Sequence, residues 1–91
     1  MNGMSKQRAD DLKRLVGILS EYPVGSEDVV GRFEREEGMI FSRPKAGGTS
    51  ARLRGITVRA AYVSPLSGKV AALQLWGQKA RRELLQAGQA V

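Results

Sequence analysis

The side chains that could do chemistry are few in kind. The chain contains no His and no Cys. A Cys nucleophile, a His general base, a Ser-His-Asp triad, a disulfide and any Cys or His metal site are therefore excluded. Carboxylates, hydroxyls and cations remain. Glu34, Glu36 and Glu37 read as the solvated face of a polar helix rather than as metal ligands. Asp10 and Asp11 are adjacent, so they leave a helix in different directions and are poor partners for one metal ion. The run Lys45-Ala46-Gly47-Gly48-Thr49-Ser50 contains glycines and hydroxyls. Its lysine is on the wrong side of the glycines and the G-K-[ST] ending is missing, which excludes a nucleoside triphosphate loop. With so thin an acid–base inventory, a non-enzymatic protein without a cofactor is expected.

The cations are more informative. The 91 residues carry 15 Lys and Arg against 9 Asp and Glu, a formal net charge of +6. Residues 1–38 hold eight of the carboxylates and six basic side chains. Residues 39–91 hold nine basic side chains and one carboxylate, Glu83. Between Glu37 and Glu83 there is no acid at all. A polyanion repels carboxylates and attracts Arg and Lys, so this asymmetry points to a nucleic-acid face. Ten of the 15 basic residues are Arg, which suits bidentate contacts to phosphate or guanine. A solvated basic surface without a partner is the plainer alternative.

The elements that position these cations follow from periodicity. Leu12, Leu15, Val16 and Leu19 form one stripe and predict a helix over 6–21, ending before Pro23. Ser26 reads as the N-cap of a second helix over 26–37, with Gly38 as its stop. Residues 42–48 read as a basic loop. Thr49 or Ser50 then opens a third helix through Ile56, with Leu53 and Ile56 on one side and Arg52 and Arg54 turned away. Residues 57–63 and 69–76, split by Ser64-Pro65-Leu66-Ser67-Gly68, predict a β-hairpin. A closing helix covers 78–87. Trp76 and Tyr62 could stack on bases, but core is the preferred role for Trp76. The expected fold class is α+β, one domain over 1–91, with 1–9 flexible. No apolar run approaches 18 residues and the N-terminus lacks the apolar centre of a signal peptide, so no membrane is expected and a cytoplasmic location is the default.

This order of elements resembles the winged helix-turn-helix family of small bacterial and phage regulators. The segments that carry the resemblance are 18–30, Thr49-Ser50-Ala51-Arg52-Leu53-Arg54-Gly55-Ile56, and 59–85. The stretch between the second and third helices is longer than the family's usual tight turn. The resemblance implies double-stranded DNA as partner and a role in transcription regulation, with helix 49–56 in the major groove and hairpin 57–76 as wing. It places Thr49, Ser50, Arg52 and Arg54 at bases or phosphates, Arg59 and Lys69 on the wing, and Arg43 and Lys45 on flanking phosphates. A homodimer on a two-fold site is a further expectation. Residues 62–69 and Trp76-Gly77-Gln78 are also similar to the AT-reading module of the H-NS and MvaT nucleoid proteins, in which Gly77, Gln78 and Lys79 would enter the minor groove. A different class stays open: a protein-interaction module or phage-type inhibitor that grips an acidic host protein with the same basic face.

Overall fold

The stripe of Leu12, Leu15 and Val16 does wind into a helix, α1 (Lys6–Ser20), and all three side chains are buried. Ser5 caps it, its hydroxyl accepting from the Arg8 N–H at 3.1 Å. The helix begins inside the stretch 1–9. The computed structural model describes residues 4–45, 47–61 and 68–88.

After a turn closed by Ser26 N–H to the Pro23 carbonyl, α2 (Asp28–Arg32) continues directly into a π-helical turn, Phe33–Glu37. Ser26 is not the cap; Glu27 holds that position and makes no side-chain capping bond. The segment stops at Gly38, whose φ of 79° is left-handed, the conformation glycine adopts without a Cβ penalty.

Three antiparallel strands follow: β1 (Ile40–Ser42), β2 (Thr49–Leu53) and β3 (Ile56–Ala60), in the order β1-β2-β3. The third helix expected over 49–56 is therefore not a helix. Thr49, Ala51 and Leu53 are buried while Arg52 is exposed, a two-residue alternation that belongs to a strand with one covered face. Leu53 and Ile56 are partners across the sheet, so their separation of three is a hairpin closure rather than a helical stripe. Arg54 and Gly55 form the turn, both with positive φ (53° and 77°), as a two-residue hairpin loop of primed type requires.

The hairpin expected over 57–76 is likewise replaced. Its first half is β3, while Lys69–Trp76 lies in α3 (Gly68–Gln86). Val70, Leu73, Trp76, Gly77, Ala80 and Leu84 are buried along α3 at helical spacing. Residues 62–67, including Tyr62 and most of the turn expected over 64–68, lie outside the described residues. The element order is helix, helix, three strands, helix. The fold class is α+β. The winged-helix arrangement depended on a helix at 49–56, where strand pairing now stands.

α3 packs across β2 and β3, and α1 packs on α3. Trp76 sits at their centre with 0% exposure. Its indole N–H donates to the Leu53 carbonyl at 3.1 Å, and its ring meets Phe33 edge-on with centroids 6.0 Å apart. Among the described residues, no helix is long and apolar enough to cross a membrane.

Candidate nucleic-acid interface

Among the described residues, helices cover only one face of the sheet. Strand register then decides what the other face carries. Across the three strands, Phe41, Ala51 and Val58 align on the helix side, Ala51 fully buried. One residue on, Ser42, Ser50 and Arg59 align on the open side, and Ile40, Arg52 and Thr57 form a second open row. Six residues thus line an uncovered face, and none is a carboxylate. Ile40 is 53% exposed.

Arg52 makes no hydrogen bond or ion pair among the described residues. Among the described residues, Arg59 donates only to the Gly47 carbonyl, at 3.1 Å. That contact ties the open face to the β1–β2 connection, which carries exposed Arg43 and Lys45. Gly48, at φ +78°, lets this connection approach β3: a Cβ there would collide with the Ala60 carbonyl oxygen. Ser42 and Ser50 share a hydrogen bond between their hydroxyls. On the β3 edge, Lys79 of α3 donates to the Thr57 carbonyl at 3.2 Å.

The expected site residues consequently separate into two groups. Arg43, Lys45, Ser50, Arg52 and Arg59 lie on the open face or its adjoining loop. Thr49, Arg54 and Lys69 do not. Thr49 is on the helix-facing side of β2 and 8% exposed; its backbone belongs to a strand register, so it has no helix N-terminus to offer a phosphate. Lys69 is engaged by Glu34 at 3.0 Å and stands over the Phe41 ring, 5.5 Å from its centroid. Arg54 is held by Asp11 and Glu37. Gly77, Gln78 and Lys79, expected in a loop that enters the minor groove, are instead inside α3.

On the helical side, Arg8, Arg14 and Arg54 are paired with carboxylates. Arg14 binds Asp11 and Glu37, each at 2.9 Å. Arg8 binds Glu83 at 3.2 Å and also donates to the Arg54 carbonyl at 2.9 Å. Hydrogen bonding from Arg14 holds the Glu37 carboxyl below its ordinary value, against the opposing effect of burial. For Asp11, burial pushes upward, but hydrogen bonds from Arg54 and Arg14 outweigh it and the carboxyl titrates low. The same partners raise the Arg14 guanidinium. Among the described residues, no cluster of three or more acidic side chains could hold a metal ion.

The expected contacts include Lys79 only through the likeness to the AT-reading module, and they omit Ser42 and Thr57. Their signal was the alternation of Ser50 and Arg52 on one strand with Thr57 and Arg59 on the next, mirrored about Arg54-Gly55. Comparison with protein families, with curated proteins and with solved structures finds no match for the chain.

Proposed function

We propose that the chain binds double-stranded DNA, as a small regulator, with the open face of its sheet rather than with a helix. The observation that carries this reading is the pair Arg52 and Arg59, diagonal to each other across β2 and β3 on an open, carboxylate-free face, while Arg8, Arg14 and Arg54 are held by acids on the helical side. The major groove of B-form DNA is about 12 Å wide and admits a two-stranded β-ribbon. The β2–β3 ribbon, with strand axes about 5 Å apart, fits that width. In this pose Arg52 and Arg59 reach base edges or phosphates, Ser50 and Thr57 supply hydroxyls between them, and Arg43, Lys45 and Lys79 meet flanking phosphates. The narrow major groove of A-form RNA excludes the same pose.

The test is a fluorescence-anisotropy titration against random duplex DNA at several salt concentrations. Five engaged cations set an upper slope of log K against log salt of about −4.5. Binding with a slope of roughly −3 to −4 supports the reading. No binding even at low salt discards it, and the open face would then be assigned to an acidic protein partner.

A further inference from the structure

On the other side of α3, where no residue of the sheet contributes, a cleft of about 230 Å³ lies between the end of α1, the α1–α2 connection and α3. Its walls include Leu19, Val29, Leu73 and Gly77. Gln74 and Arg81 are two lining residues whose polar groups lack a partner among the described residues. Gln74 Nε2 is buried with no hydrogen-bond acceptor. The Arg81 guanidinium makes no ion pair among the described residues, and no carboxylate lines the cleft. Gly77 matters here because a Cβ would meet Leu19 Cδ1 at 2.8 Å and stand 3.8 Å from Arg81 Nη1, filling the space between wall and guanidinium.

Buried donors in folded proteins are nearly always paired, so an unpaired amide and an unpaired cation on residues lining one cleft point to an anionic acceptor. The apolar walls call for an apolar body attached to it. The volume falls below the range of about 300–1,000 Å³ typical of pockets for drug-sized ligands, so the ligand must be small. We propose that this cleft binds a small monocarboxylate with a short aliphatic chain. Its carboxylate accepts hydrogen bonds from Arg81 and from Gln74 Nε2, and its chain lies against Leu19, Val29 and Leu73. The proposal does not depend on the DNA reading, since it uses none of the open-face residues.

The test uses 4-methylpentanoate as probe and 4-methylpentanamide as its uncharged control, followed by ¹⁵N-correlation NMR of the whole chain. The acid should produce saturable shifts confined to residues 22–29 and 70–81, and the amide should bind much more weakly. Arg81→Gln should weaken the acid about tenfold, the loss expected from one charge-assisted contact. Gln74→Leu should weaken it as well, without lowering the melting temperature, because it removes an unpaired buried group. If Gln74→Leu does not fold, the Arg81→Gln comparison alone decides. Absence of saturable shifts, equal binding of acid and amide, or full affinity in Arg81→Gln would overturn the proposal.

Discussion

Arg54 stands at φ 53° in the turn between β2 and β3 and donates from its Nε to Asp11 on α1. A residue other than glycine in this left-handed region costs about 1–2 kcal/mol. Here the side chain fixes the hairpin to the helix beneath it. Arg54 Nη1 also donates to the Glu37 carbonyl at 3.2 Å, and Arg8 donates to the Arg54 carbonyl at 2.9 Å. Arg54 is therefore a structural residue, although its neighbour two positions back in the strand, Arg52, is free.

That contrast gives the first prediction. Arg54→Ala should lower stability by about 1 kcal/mol, because it removes the ion pairs to Asp11 and Glu37 while the strain of positive φ is common to both residues. Arg52→Ala, at an exposed site with no partner, should change it by less than about 0.5 kcal/mol. If the open face binds DNA as proposed, the order should reverse for affinity: Arg52→Ala should weaken binding and Arg54→Ala should leave it nearly unchanged. Urea denaturation and anisotropy on the same two variants check both halves.

The pH dependence follows from the same network. Asp11 and Glu37 titrate below their ordinary values of 3.8 and 4.5 in the folded chain. In the unfolded chain they bind protons first as pH falls, so their contribution is fully present above about pH 5.5 and is lost as pH drops through the folded values. The melting temperature should be flat near neutrality with respect to these groups and decline below about pH 4.5. In Asp11→Asn/Glu37→Gln it should start lower at pH 7 and decline less steeply in acid. Thermal melts by circular dichroism from pH 2.5 to 7 would show this, and parallel curves for the two proteins would count against it.

Close packing between the β1–β2 connection and β3 can be tested with two adjacent glycines. Gly47 and Gly48 both have positive φ, 97° and 78°. A Cβ at Gly47 meets nothing within 4 Å, whereas one at Gly48 runs into the Ala60 carbonyl. Gly47→Ala should cost only the conformational strain, about 1–2 kcal/mol. Gly48→Ala should cost more, because β3 must shift as well. Equal losses in denaturant titrations would argue that the connection does not pack on β3 as described.

Trp76 supplies a fourth test. Trp76→Phe keeps an aromatic ring against Phe33 but leaves the buried Leu53 carbonyl without its donor, a loss of about 1–3 kcal/mol. The intrinsic emission of the parent chain, whose only tryptophan is this buried one, should shift to the red on unfolding and so report the transition directly.

The part of the fold legible in the sequence is the part where one pattern has no competitor. Leu12, Leu15 and Val16 fit only a helix, and Gly38 is a stop in any reading of 26–38. The segment 49–60 carries two superposed patterns. Leu53 and Ile56 are three apart, as on a helix, but Ala51, Leu53, Ile56 and Val58 also alternate with Arg52 and Thr57 about the Arg54-Gly55 turn. Tertiary pairing selects the second, because strands β2 and β3 can then bury Ala51 and Leu53 under α3. Lys69–Trp76 is the reverse case. A Pro-Ser-Gly cluster before it suggests a hairpin, yet Val70, Leu73, Trp76 and Gly77 share a helical face continued by Ala80 and Leu84, and Ala71 and Ala72 favour helix intrinsically. The acid-free stretch after Glu37 was visible as charge. Which of its cations are free was not, since Arg54 and Lys69 meet their acids through contacts 17 to 43 residues apart in the chain.

The central claim is that the uncovered sheet face is the DNA-binding surface. ¹⁵N-correlation NMR of the chain titrated with a short random-sequence duplex at low salt tests it most directly. Shifts are expected at Ile40, Ser42, Ser50, Arg52, Thr57 and Arg59 and along 43–48, fading as salt rises, with α1 and the α1–α2 connection undisturbed. Shifts concentrated on α1, or none at DNA concentrations that saturate the anisotropy signal, would contradict it.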